Sequence, residues 1–156
     1  MASAVFVTSK TDEATFQPPD CGLNALFILL ELNGHQVELS KLRDKLPPQT
    51  SKGYSFLDLK NAAAGVGYDL QGVMLNDSSN LPRVPAIVFL SDRENGHFIV
   101  TKPIENSSKL VQIFDAPAQP RIVNADFLVK DSHWTGRALI LKSKSYKSLQ
   151  SLLFPF

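Results

Sequence analysis

The spacing of apolar residues changes period once along the chain. Between Cys21 and Leu32, Leu23, Leu26, Phe27 and Leu30 recur at helical spacing, which predicts a strongly buried helix. Asp20 stands where a side-chain cap belongs, and Asn33-Gly34 supplies a stop that tolerates left-handed backbone. A shorter helix is predicted near Ser40–Lys45, with Leu39, Leu42 and Leu46 inward and Pro47-Pro48 ending it. Ser55-Phe56-Leu57-Asp58 has the spacing of a capping box and predicts a third helix through Ala64, stopped by Gly65 and Gly67.

After Gly67 short apolar runs replace the helical period. They predict strands at Tyr68–Met74, Val84–Leu90, His97–Thr101, Leu110–Phe114 and Ala138–Leu141. Turn-forming clusters separate them at Asn80-Leu81-Pro82, Asp92 to Gly96, Glu105 to Ser108 and Asp115-Ala116-Pro117. One helical turn is expected at Ala125–Val129, ahead of Trp134-Thr135-Gly136. Helices first and strands afterwards describe an α+β fold with a mostly antiparallel sheet. One domain from about residue 10 to 142 is expected. Phe16-Gln17-Pro18-Pro19-Asp20 forms a stiff loop into its first helix, since each proline fixes φ and restricts its predecessor. Residues 143–156 are read as a C-terminal tail or linker, basic and serine-rich and then apolar from Leu152 to Phe156.

Composition narrows the function classes. The 156 residues are 44% hydrophobic and 20% charged, as in an ordinary globular protein. Sixteen Lys and Arg against fifteen Asp and Glu leave a net charge of +1, which gives no electrostatic footprint for a nucleic acid or an anionic membrane. The longest apolar run, Leu23–Leu32, is broken by Asn24 and Glu31 and falls far short of a bilayer span, so no membrane insertion is expected. The first ten residues are too short and polar for a signal-peptide core, which favours the cytoplasm. The triplets Asn76-Asp77-Ser78 and Asn106-Ser107-Ser108 are then chance matches to a glycosylation pattern. A single cysteine excludes an internal disulfide and any zinc site needing two thiolates, and three scattered histidines offer no metal-ligand spacing. Neither a metal nor a cofactor is expected.

That lone cysteine, Cys21, falls at the first turn of the first helix, where unpaired N–H groups and the helix dipole favour a thiolate. Position alone leaves two readings open, a reactive nucleophile or a small buried apolar residue. His97 follows Gly96 and opens a β-branched strand; alone it reads equally as a hydrogen-bonded histidine at a sheet edge. Asp115 ends the next strand, where an aspartate most often forms a turn. Pairing of the two strands as an antiparallel hairpin around Asn106-Ser107-Ser108 would bring His97 and Asp115 to one end of the sheet, near the helix carrying Cys21. Nucleophile, base and orienting carboxylate would then occur in the order Cys, His, Asp. His35, in a turn after Gly34, reads as a solvated loop residue, and His133, beside Trp134, as a surface or packing residue.

Asp20-Cys21-Gly22-Leu23-Asn24-Ala25-Leu26 resembles the opening motif of the bacteriocin-processing, papain-like cysteine peptidases of the C39 family. Further matches follow in order: Gly53-Tyr54-Ser55-Phe56-Leu57-Asp58-Leu59, Pro85-Ala86-Ile87-Val88, Gly96-His97-Phe98-Ile99-Val100, Ile113-Phe114-Asp115-Ala116-Pro117, and Phe127 through Trp134-Thr135-Gly136-Arg137. Together they span roughly residues 15–141. The resemblance implies a papain-like fold with Cys21 as nucleophile, His97 as general base and Asp115 as its orienting group. It also implies peptide or protein substrates cut after small residues, often Gly-Gly, behind an amphipathic leader that docks in an apolar groove. A membrane exporter or a fused domain is the partner it implies, and this chain is free-standing or cut from a longer one. Two positions depart from the family pattern. The family carries an oxyanion-donating glutamine six residues before the cysteine; position 15 here is Thr15, and the nearby glutamine is Gln17, four before. Ala116 stands where proline commonly follows the aspartate, with Pro117 next. The alternatives are a catalytically silent peptide-binding module on the same fold, and transamidation or deamidation by the same residues.

Overall fold

The computed structural model describes residues 20–142, so Gln17, Pro18, Pro19 and the 143–156 segment lie outside the described residues. Three helices come first: α1 (Cys21–Leu32), α2 (Leu39–Lys45) and α3 (Phe56–Gly65). Six strands follow, β1 (Leu70–Met74), β2 (Ala86–Leu90), β3 (His97–Pro103), β4 (Leu110–Phe114), β5 (Arg121–Asn124) and β6 (Trp134–Leu141). A 3-10 turn at Ser78–Asn80 and α4 (Ala125–Lys130) interrupt them. The sheet order is β1-β6-β2-β3-β4-β5. Every neighbouring pair is antiparallel, so the α+β expectation holds and the sheet is antiparallel throughout.

Local chemistry explains the helix ends. Ser55 Oγ accepts from the Asp58 N–H while the Asp58 carboxylate accepts from the Ser55 N–H, a reciprocal capping box that fixes the start of α3. At the end of α1, Asn33 Nδ2 donates to Leu29 O and the His35 N–H to Leu30 O, and Gly34 takes φ +80°. Asp20 departs from the expectation. Its side chain makes no capping hydrogen bond; only its backbone carbonyl closes the first turn, accepting from the Asn24 N–H. One carboxylate oxygen lies 3.8 Å from Arg43 instead.

Burial divides between the two faces of the sheet. Leu23, Leu26, Leu29 and Leu30 of α1 meet Leu42, Leu59, Ile87, Val100 and Leu139, forming the main core between helices and sheet. Leu29 takes the buried place expected for Phe27, which is only half-buried. The opposite face holds a smaller cluster of Leu75, Ala86, Val88, Ile99, Ile113 and Ala138, with Leu128 of α4 and Trp134 packed on it. The apolar periods are thus satisfied on both sides, and β2 and β3 are sandwiched as their unbroken apolar runs require.

Several strands differ from the expected ones. Arg121–Asn124 is a strand that the sequence pattern does not mark, with only Ile122 and Val123 apolar; it exists by pairing with β4. β6 begins at Trp134, four residues before the expected start, because Trp134 pairs with Leu90 ahead of a register shift between Val88 and Leu90. Gly136, at φ +75° within β6, breaks the alternation there. β1 and β2 start two residues later than expected, at Leu70 and Ala86.

Candidate active site

Each of three loops and ends contributes one wall of a single cleft of about 190 Å³. Its lining includes Cys21 at the start of α1, Ser51 to Tyr54 from the loop before α3, and Arg93 to Phe98 from the β2–β3 turn. Gly22 lets α1 sit close to that first loop: a Cβ there would stand 3.3 Å from both Tyr54 and Leu59. Gly96 does the same at the turn into β3. Its φ is +73°, and a Cβ would fall 1.9 Å from Phe89 Cζ, so the Phe89 ring occupies the place of any side chain. The next residue, His97, is thereby delivered to the cleft floor with only 2% of its surface exposed.

Register brings in the carboxylate. Val100 pairs with Phe114, so the start of β3 and the residue after β4 lie at the same end of the sheet. His97 Nε2 and Asp115 Oδ1 are 2.6 Å apart. Asp115 is therefore not a side-chain turn former; the turn closes through the backbone, with the Ala118 N–H donating to Asp115 O at 2.8 Å. With Nε2 engaged, the other ring nitrogen, Nδ1, is buried and without a partner in strict hydrogen-bond geometry. The Cys21 thiol is nevertheless close enough for each group to shift the protonation of the other. A contact looser than a full hydrogen bond is common for an unliganded nucleophile and base.

The electrostatics push the two groups in opposite directions. Burial raises the Cys21 thiol pKa, but the polar contact with His97, the Phe98 backbone, the His97 charge and the Gly22 backbone outweigh it, so the net shift is downward. His97 is raised, chiefly by its polar contact with the Cys21 thiol, then by the hydrogen bond and charge of Asp115, against the opposing effect of burial. Both shifts favour moving the thiol proton onto the ring. An imidazolium held by a carboxylate beside a thiolate can deliver a nucleophile and then return a proton to a leaving group.

The structure thus brings Cys21, His97 and Asp115 together. Gln17 lies outside the described residues. His35 packs its ring against Tyr68, with centroids 4.5 Å apart, rather than standing free in a loop, and His133 is exposed. Among the described residues no cluster of His, Cys, Asp and Glu is arranged to hold a metal, and no helix is long and apolar enough to cross a membrane. The sequence reading missed a hydrogen bond of 2.7 Å from Asn95 Nδ2 to Ser51 O, which joins two walls of the cleft. Neither residue carries a periodic or motif signal, and only the fold places them together.

Among the solved structures similar to this chain are peptidase and peptidase-like domains. The peptidase domain of Streptococcus ComA, a bi-functional ABC transporter involved in quorum sensing, superposes with a TM-score of 0.65 at 21% identity, covering 80% of this chain and 92% of that one. A double glycine motif protease from an AMS/PCAT transporter, solved in complex with its leader peptide, gives 0.61 at 23% identity, over 80% of this chain and 84% of that one. The N-terminal peptidase C39-like domain of a toxin secretion ATP-binding protein from Vibrio parahaemolyticus gives 0.59 at 21% identity, over 80% and 98%. At these identities the likeness establishes the shared fold. No curated protein matches the chain. The family comparison extends further than the fold: residues 13–146 match the Peptidase C39 family, and the chain belongs to it.

Proposed function

We propose that the protein is a cysteine peptidase that cleaves a leader-bearing peptide after small residues of the Gly-Gly type. The observation that carries this reading is the His97 ring, bonded to Asp115 at 2.6 Å through Nε2 and lining the same cleft as the Cys21 thiol. The Cys21 thiolate attacks the carbonyl carbon of the scissile bond, His97 gives its proton to the departing amine, and the C–N bond breaks to leave a thioester. Water then attacks the thioester carbon while His97 takes the water's proton, which returns to sulfur as the C–S bond breaks. Asp115 holds the ring and stabilises its charged form. Backbone N–H groups at the start of α1, which have no intrahelical acceptor, are the donors for the developing oxyanion, and the family's glutamine role would fall to Gln17, outside the described residues.

Two features support the substrate class. The cleft is small, and a residue without a side chain approaches the sulfur most easily. Outside it, an apolar groove of about 310 Å³ runs between α3 and the β1–β6 pair, floored by Phe56, Val73, Met74, Ala138 and Leu139, with Lys60 and Arg137 at its edge. Phe56 belongs to this groove and also touches Phe98, which lines the cleft, with ring centroids 5.3 Å apart. An amphipathic leader helix in the groove would therefore feed its following residues towards Cys21. The AMS/PCAT protease solved with its leader peptide supports the same reading. A site on the cytoplasmic side of an exporter is the setting that fits such a substrate.

The test is incubation with a library of peptides carrying helical leaders, followed by mass spectrometry, with Cys21→Ala as control. Cleavage that needs Cys21 and follows small residues is the expected outcome. The shift of the glutamine to position 17 favours a second reading, a silent leader-binding module. Leader binding that survives Cys21→Ala, with no cleavage by the parent protein, would select that reading. Amide exchange or a one-dalton mass change would instead select transamidation or deamidation.

A further inference from the structure

The two walls that face each other across the cleft come from different layers of the molecule. One is the loop between α2 and α3, in the helical layer; the other is the turn between β2 and β3, in the sheet. Each closes on itself. The Gly53 N–H donates to Thr50 O at 3.0 Å in the first, and the Gly96 N–H to Arg93 O at 2.9 Å in the second. The base of the turn is further pinned by Phe89, whose ring fills the space over Gly96. Among the described residues, one hydrogen bond joins the walls, Asn95 Nδ2 to Ser51 O at 2.7 Å. Both residues line the same cleft as Cys21 and His97.

We infer that Asn95 is a specificity-determining residue, a latch whose bond to the Ser51 carbonyl fixes the width of the cleft and so limits the size of group that reaches Cys21. The inference follows from how the walls are held. Without the latch, their separation depends on two exposed loops anchored separately to layers that pack on each other some distance away. With it, the rim is tied at one point beside the reactive pair. An exposed neutral hydrogen bond contributes modestly, so the closed state is favoured but can open for a well-docked substrate. The consequence for substrate choice rests on the peptidase reading above; the restriction on access to sulfur does not.

The experiment measures alkylation of Cys21, the chain's single thiol, by iodoacetamide and by a fluorescein-bearing iodoacetamide, in the parent protein, Asn95→Ala and Asn95→Asp. Losing one such bond should raise the ratio of bulky to small reagent rates by about 2- to 10-fold in both variants, with the iodoacetamide rate and its pH profile unmoved in Asn95→Ala, which adds no charge to the cleft. An unchanged ratio in both variants would overturn the latch. So would an equal rise for the two reagents, since Asn95 would then act on the thiol itself. A parallel cleavage assay with Gly, Ala or Val before the scissile bond separates the two claims. A raised ratio with no cleavage by the parent protein would sink the peptidase reading and leave the latch standing. Cleavage with an unchanged ratio would do the reverse.

Discussion

His97 Nε2 and Asp115 Oδ1 stand 2.6 Å apart although 18 positions separate them in the chain. That approach is a product of strand register, because β3 begins where β4 has just ended. It occupies one of the two ring nitrogens. Nε2 is engaged by the carboxylate, which leaves Nδ1 buried and unpartnered among the described residues, and on the proposed mechanism Nδ1 is the nitrogen that would exchange a proton with Cys21.

The first expectation concerns the alkaline limit of activity. The productive pair is a thiolate beside an imidazolium, so activity rises as Cys21 loses its proton and falls as His97 loses its own. Asp115 raises the His97 pKa through its hydrogen bond and its charge. In Asp115→Asn the charge is gone, His97 deprotonates at lower pH, and the alkaline limb of the kcat/KM profile moves towards neutrality. An orienting residue should also cost about 10²-fold in kcat, the lower end of a general acid–base contribution. Steady-state cleavage between acid and alkaline pH measures both; an unmoved alkaline limb would refute the role.

A second expectation needs no substrate. The polar contact with His97 and its charge are two of the influences that lower the Cys21 thiol, and burial opposes them. Replacing the ring in His97→Ala removes the lowering influences from that side chain and leaves most of the desolvation, so the thiol pKa must rise. Iodoacetamide alkylation followed against pH should therefore shift its half-point to more alkaline pH, with the rate at neutral pH reduced. A half-point at the same pH in both proteins would show that the ring and the sulfur do not communicate.

The third expectation is structural. Ser55 caps α3 through the Asp58 N–H, and Asp58 answers through the Ser55 N–H and hydroxyl. Ser55→Ala should cost about 1 kcal/mol of stability, seen as a lower midpoint in urea with an unchanged slope. The loop that carries Ser51 and Tyr54 runs directly into this cap, so the same variant tests how firmly that wall of the cleft is held.

Such features were legible because their chemistry is local. The Ser55–Asp58 box, the Asn33-Gly34 stop and the Pro47-Pro48 break each lie within a few residues of the helix end they set. The Asp20 cap was a local expectation that failed, because the carboxylate turns towards Arg43 instead of its own helix. β5 and the first half of β6 were not legible, since four residues with two apolar positions, or a strand bent at Gly136, acquire their conformation from a partner strand. In the site, the shared end of β3 and β4 follows from hairpin geometry. Which ring nitrogen is left unpartnered, and that Asn95 reaches Ser51, depend on packing between layers that no short-range pattern encodes.

The last expectation joins fold to site at Gly96. An alanine there faces two separate penalties. The backbone at φ +73° is in the left-handed region that β-carbon-bearing residues resist, and the new Cβ would lie 1.9 Å from Phe89 Cζ. Phe89 has little room to move, since its ring packs against Phe56 and Phe98 and sits beneath the Arg137 guanidinium at 5.5 Å. Gly96→Ala should therefore lose about 2–6 kcal/mol, the backbone strain and the overpacking each contributing about 1–3. Phe89→Leu in the same chain removes the ring and the steric part of the loss but not the strain, so the double variant should be more stable than the sum of the single effects implies. The site gives a second readout. Because Gly96 immediately precedes His97, any shift of the turn displaces the ring from Asp115 and Cys21. The His97 pKa, followed by NMR titration, should fall towards its ordinary value in Gly96→Ala and recover in part in the double variant. Loss of stability with an unaltered His97 titration would show that the turn does not position the base.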